Sequence, residues 1–385
     1  MTGPAKSGTF YFELSIFESS HQPVRKIYFT VTNDLSYDQR MHRICGSLGK
    51  ASYDVTLVGR KLHSSIPLQQ QNFRQKRIRC LFTKGFLFYA EYNFRLFFYL
   101  LFQRMDAVCA IDLDTILPCL FVSKVKRIKR IYDAHEYFTE LKEVRTRPRV
   151  RKIWRGIEKF AVPKFDSGYT VGEGLANEFR KNYGRNYAVI RNLPVLREIP
   201  AVERRKVLLY QGAVNEARGF EFLIPAMKLI NYKLVICGDG NFMDQLKELI
   251  RENGVESKIE LKGMLLPGHL SRIAAGASLG IGLAEKEGIN QFHALPNKFL
   301  EYIHSGLPQI AMAYPEYEKI NRQYKVAILL NELSVESVAN TVNAVMNDTV
   351  LLNEMHSNAL KAREVFCWQN EEGLLIDFYK NLFSE

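Results

Sequence analysis

The chain has 385 residues, 47% of them hydrophobic, and carries a net charge of +12 at neutral pH. That length exceeds one ordinary domain and can fill two cores, so two domains of about 150–200 residues each are expected. The basic balance points to an anionic partner, whether phosphate groups, nucleic acid or an acidic membrane face. Six cysteines form no CxxC pair and no metal-ligand cluster, which excludes a disulfide scaffold or zinc module and fits a reducing cytoplasm.

Residues 1–25 lack a continuous apolar core, so they read as an extension that frays until the first strand near Lys26, not as a secretory signal. "RKIYFTVTN" (25–33) is a strand and 37–50 a helix; 53–60, 106–114 and 129–136 are further strands. The apolar stretch 86–102 is interrupted by Glu91 and Arg95 and is shorter than the roughly 20 residues of a membrane span. At 189–206 the alternation pauses in two prolines and a run of charges, a linker. Strands then return at 206–212, 232–240, 258–265, 278–284 and 308–314, with helices between them and an amphipathic helix at the end. Short strands alternating with helices predict an α/β chain of two doubly wound, parallel-sheet, Rossmann-like domains facing a cleft. The expected spans are 26–196 and 197–367, with a last helix over 368–385.

Ligands of such sheets sit beyond the carboxyl ends of the strands, so polar residues between a strand and the next helix are the first candidates. In the second half, "YQGAVNEARGF" places Gly212, Asn215 and Arg218 there. Glycine lets backbone approach a ligand, and arginine can fork onto two phosphate oxygens; an ordinary turn with a solvated arginine is the other reading. "CGDG" offers Gly238 and Gly240 before a helix, an anion site or simply a tight turn. A dinucleotide fingerprint is excluded, because the position of its third glycine holds Met243. In "HALPNKFLEYIHSGLP", Asn297, Lys298 and Glu301 share one side of a helix whose other side is Phe299, Leu300 and Ile303, with Pro296 expected in the first turn. Either the stripe is a wet Lys–Glu pair, or it faces the cleft, where a carboxylate can bind a sugar diol and a lysine a diphosphate. In the first half, Asp112 and Asp114 end one strand and Asp133, His135 and Glu136 another. The aspartates resemble a DxD metal motif, but that motif belongs to a single-domain architecture. Binding a polyol or capping a helix is the expected role, and no metal is expected.

Taken in order, "YQG…N…RG…CGDG…LKG…LPNKFLEYIHSGLP" resembles the retaining GT-B glycosyltransferases of family 4, and "TNDLSYDQRMHRICGSL" and "IYDAHEYF" are similar to a bacterial branch that builds surface polysaccharide. The resemblance covers the chain from about Lys26. It implies that Glu301 holds the donor ribose and that Arg218, with Lys298, meets the donor diphosphate. Gly263 and Met264 would pair with the nucleobase through backbone groups, and His135 would lie near the donor sugar and reacting bond. Asn33, Asp34, Asp38 and Arg40 would meet acceptor and phosphate, joined on that side by Asp112, Asp114, Asp133 and Glu136. Two departures stand out: His293 and Ala213 occupy positions where the family usually has glutamate and arginine. Glu287 or Asn290 can substitute for the missing glutamate.

The implied reaction is metal-independent transfer of a sugar, with retention, from a nucleotide diphosphate sugar to an acceptor hydroxyl, with no other cofactor. The last helix is implied to cross back onto the first domain. Eight Lys or Arg residues in 142–159 and five in 124–130, with the aromatic 86–102 segment, suit docking on the anionic inner face of the cytoplasmic membrane to meet a lipid-linked or glycan acceptor. The remaining alternatives are a nucleotide-sugar epimerase on the same fold and a binding-only homologue. Nucleic acid is not an expected partner, because no recognised motif appears and the basic runs lack interleaved stacking aromatics.

Overall fold

The computed structural model describes residues 23–384 apart from Tyr37 and Glu287. The first 22 residues, where fraying was expected, lie outside the described residues, as does Glu287, a candidate for the donor sugar. Among the described residues, thirteen strands form two wholly parallel sheets. The first contains β1 (Lys26–Thr30), β2 (Asp54–Lys61), β3 (Arg74–Arg79), β4 (Ala107–Ile111), β5 (Lys129–Ala134), β6 (Ser167–Thr170) and β7 (Ala188–Val189), in the order β3-β2-β1-β4-β5-β6-β7. The second contains β8 (Val207–Gln211), β9 (Lys233–Cys237), β10 (Ile259–Gly263), β11 (Leu279–Gly282), β12 (Gln309–Met312) and β13 (Ala327–Leu330), in the order β10-β9-β8-β11-β12-β13. Strand order reverses between β1 and β4 and again between β8 and β11, which marks the carboxyl ends of those strands as binding crevices.

Burial explains which strands the sequence announces. β4, "AVCAI", is wholly buried because helices cover both faces of the sheet. β3, "RQKRIR", is an edge strand whose outward cations discourage pairing with another chain; such a run reads as loop in sequence. Helices Gly85–Leu101, Ile116–Lys126 and Pro148–Ala161 share one core with the first sheet. On its other face lie helices Gln39–Lys50 and Trp368–Ser384. The last helix thus packs on the first lobe: Trp368 Nε1 donates to Ser47 Oγ (2.9 Å), and Glu371 accepts from the Arg191 amide (2.6 Å).

Helix Gly85–Leu101 turns Phe88, Tyr92, Leu96 and Leu100 inward, while Phe94 and Phe98 stay exposed. Among the described residues no helix is long and apolar enough to cross a membrane. Between β11 and β12 the chain forms two helices, Gly288–His293 and Asn297–His304. Pro296 was expected in the first helical turn; its extended backbone (ψ 144°) makes it the N-cap instead.

Candidate functional site

In the second lobe the site begins as a backbone floor. Gly212 and Gly238 have φ of 121° and 148°, and a Cβ on Gly238 would fall onto the Gly212 carbonyl oxygen. Gly240 is equally constrained against Val214 and the Asn215 side chain. The strand ends are laced together: the Gly212 amide donates to Cys237 O (2.9 Å) and the Gly238 amide to Gly263 O (2.8 Å). Asn215 is part of this lacing, its Oδ1 accepting from the Asn241 amide (3.2 Å). Glycine is required because only it permits these backbones to touch. Gly263 takes a left-handed φ of 64°, and Met264 beside it is left 77% exposed.

Above that floor stand three charged side chains. Helix Asn297–His304 buries Phe299, Leu300, Tyr302 and Ile303, which leaves Lys298 and Glu301 on its opposite side. Tyr302 anchors the helix by donating to Leu209 O (2.9 Å) while accepting from the Gln211 amide. Lys298 Nζ lies 3.4 Å from the Tyr210 ring centroid, over its face. Arg218, between Ala217 and Gly219 in left-handed conformations, lines a small recess with Lys298, Gly282 and Tyr317. Burial, reinforced by the Arg218 charge and opposed by Glu301, pushes the Lys298 ammonium well below the ordinary lysine range. Glu301 accepts from Gln211 Nε2 (2.6 Å), and its charge is felt by Arg43 of the first lobe, so it faces the gap. Two cations confined beside one carboxylate favour a bound polyanion.

The first lobe ends its strands in carboxylates. Asp112, held at φ 53°, accepts from the His135 amide (2.9 Å), and the His135 ring lies between Asp112 (3.5 Å) and Asp133 (3.3 Å). Burial, opposed by His135, lifts Asp112 to about 7; burial, opposed by the Thr32 hydrogen bond, lifts Asp114 to about 6. The His135 imidazole is raised despite burial, chiefly by Asp133.

Several residues expected to touch an acceptor make bonds within the framework of the first lobe. Asp133 is fully buried and Arg40 is 6% exposed; they form an ion pair of 2.8 Å beside His135. Asp34 is locked by the Ser36 amide, Ser65 and Arg77, and Asp38 caps helix Gln39–Lys50 by accepting from the Met41 amide (3.1 Å). Asn33 and Glu136 are exposed at this end of the sheet.

The lobes also touch directly. Asn290, expected near the donor sugar, accepts from the Tyr137 amide (2.8 Å) of the first lobe. Asn297 accepts from Asn192 of the linker (2.8 Å), and Arg43 donates to Asn192. His293 packs so closely on Gly174 that a Cβ there would enter its ring, and its buried Nδ1 has no hydrogen-bond partner. The sequence reading missed Gln211, Tyr210, Arg43, Asn192 and Gly174. Only Gln211 and Tyr210 carried a signal, standing just before Gly212. Among the described residues, no group of three or more His, Cys, Asp or Glu is placed to hold a metal ion.

Comparisons place this geometry. Residues 195–362 match the family model described as glycosyl transferases group 1. An uncharacterized glycosyltransferase of Methanocaldococcus jannaschii is 26% identical over 191 residues, 48% of this chain and 47% of that protein, so the match spans about half the relative's length. Sucrose-phosphate synthase from Thermosynechococcus elongatus superposes with a TM-score of 0.79 at 14% identity, covering 94% of this chain and 99% of that one. Anabaena HepE, solved with UDP and glucose, gives 0.74 at 13% identity, covering 93% and 100%. WaaG, a glycosyltransferase involved in lipopolysaccharide biosynthesis, gives 0.70 at 15%, covering 91% and 98%. The chain therefore has the two-lobed GT-B fold, and its residues 195–362 resemble the glycosyl transferases group 1 family.

Proposed function

We propose that the protein is a retaining glycosyltransferase that moves a sugar from a nucleotide diphosphate sugar to an acceptor hydroxyl in surface-polysaccharide or glycolipid assembly. The observation that carries this is the grouping of Arg218, Lys298 and Glu301 over a glycine floor, facing the first lobe. Glu301 accepts hydrogen bonds from the ribose, while Arg218 and Lys298 hold the diphosphate. As the anomeric C–O bond breaks, its electron pair passes to the diphosphate, and these cations stabilise the charge without a metal. The acceptor oxygen bonds to the same face of the anomeric carbon and gives its proton to the departing phosphate oxygen. His135, fixed between Asp112 and Asp133, contacts the donor sugar from the opposite lobe.

Thermal stabilisation by UDP-, GDP- and dTDP-sugars, followed by product analysis with an acceptor, tests this. One nucleotide series should stabilise the protein and yield a product of unchanged anomeric configuration. Stabilisation by none overturns the reading, and donor conversion without an acceptor favours an epimerase.

The outer face of the first lobe supports peripheral contact with an anionic membrane. Exposed Phe94, Phe98, Phe121 and Val125 surround Lys124, and Arg151, Lys152, Arg155 and Lys159 line helix Pro148–Ala161 beside them. Each cation near such a surface contributes about 1 kcal/mol. Flotation with anionic but not neutral liposomes is the expected result; no flotation with either removes this contact.

A further inference from the structure

We propose that a cavity at the carboxyl ends of β2 and β3 is the acceptor subsite for a phosphate-bearing lipid, an inference that rests on the glycosyl-transfer reading. The cavity, of about 320 Å³, is lined by Arg60, Lys61, His63, Arg79, Phe82 and Phe88. Lys61 and Arg79 are register partners on adjacent parallel strands, which sets two cations side by side. Like charges so placed repel, and a bound anion offsets that repulsion. The Arg60 guanidinium lies 4.5 Å from the Phe88 ring centroid and donates to Thr83 O (3.3 Å), while its Nε is buried without a hydrogen-bond partner.

Among the described residues, no carboxylate forms an ion pair with Arg60, Lys61 or Arg79. Asp114, within electrostatic reach of Arg60, is hydrogen-bonded to Thr32. Glu91, on the same helix as Phe88, is occupied by the amides of Leu81 and Phe82 and by Arg95. The cavity thus presents cations whose charge is not cancelled, together with donors planar enough to match phosphate.

Its surroundings specify what is attached to the phosphate. Leu81, Phe82, Phe86 and Leu87 are all exposed, at 82%, 46%, 71% and 54%, so an apolar rim borders the cations. An exposed apolar cluster beside a cationic recess fits an amphiphile with an anionic head. The position also suits an acceptor. The Arg60 amide donates to Asn33 O (3.1 Å), so the cavity adjoins the loop after β1. Two strand spacings, about 10 Å, separate β2 from β4, so a sugar attached to a phosphate held at Arg60 can extend toward Asp112 and His135.

Farnesyl diphosphate, inorganic diphosphate and farnesol are the probes, titrated calorimetrically into the full chain. The exposed pair Lys61→Ser/Arg79→Ser is compared with Arg218→Ala in the other lobe, thermal unfolding verifying that each variant folds. Farnesyl diphosphate is expected to bind at least about tenfold more weakly to the double variant and unchanged to Arg218→Ala. Inorganic diphosphate and farnesol are each expected to bind at least about tenfold more weakly than farnesyl diphosphate. Undiminished binding by the double variant, or a loss confined to Arg218→Ala, overturns the subsite while leaving the donor site intact. Inorganic diphosphate binding as tightly as the lipid overturns the amphiphile. Failure of every nucleotide sugar to stabilise the protein is read separately and strikes the glycosyl-transfer reading itself.

Discussion

Where the strands of the second lobe end, glycines 212, 238 and 240 bring backbones into contact, and the charged groups Arg218, Lys298 and Glu301 stand above them. Where the strands of the first lobe end, the ordering is reversed: a buried Arg40–Asp133 ion pair forms the floor, and His135 and Asp112 lie over it. One lobe shapes its crevice by removing side chains and the other by burying charged ones. The second lobe should therefore be most sensitive to added volume, and the first to a lost charge.

The largest effect is expected in the first lobe. Arg40→Ala removes the guanidinium from buried Asp133, leaves His135 as its remaining partner, and should destabilise the protein by about 3–5 kcal/mol in chemical denaturation. A loss below about 1 kcal/mol would show that His135 and solvent together hold the Asp133 charge without Arg40. Next, Glu301→Ala should weaken nucleotide-sugar binding by about 10–100-fold by removing a charged acceptor, with little change in the first lobe. Gly174→Ala drives a methyl into the His293 ring and should cost about 1–3 kcal/mol, recovered in the double variant with His293→Ala. If the second substitution rescues nothing, the two lobes do not meet there in solution.

Two smaller effects concern charge. Lys298→Met should raise stability by about 0.5–2 kcal/mol while weakening donor binding, because the buried ammonium serves the ligand and not the fold. Donor affinity in the native protein should fall as pH rises through the depressed Lys298 pKa, and Arg218→Ala should move that fall to higher pH. Asp112 changes stability with the opposite chemistry. Its folded value of about 7 lies above the ordinary 3.8, so its contribution is full below pH 3.8 and lost as pH rises toward about 7. Asp112→Asn should flatten the stability profile across that window.

The comparison also explains what was legible in the sequence. Glycines and prolines punctuate strands locally, so the turn at "CGDG" and the start of helix Asn297–His304 could be read from neighbouring residues. Alternation of buried strands with amphipathic helices gave the parallel sheets, except at edges such as β3, where exposed cations hide the strand. Partnerships across the fold left no such trace. Arg40 and Asp133 are 93 residues apart, so nothing near either showed that they pair with each other. The family resemblance sets Asn290 and His293 near the donor sugar, but their contacts with Tyr137 and Gly174 of the first lobe left no trace in the residues around them.

The last helix gives the chain a second passage between lobes: one at the linker before β8, the other where Trp368 docks beside Ser47. A body joined at two separate points is restricted to swinging about the line through them, as a door turns on two pins. Cutting the chain ahead of Trp368 would remove one pin and strip Tyr379 from against Phe29, so the shortened protein would both wobble and lose part of its interior.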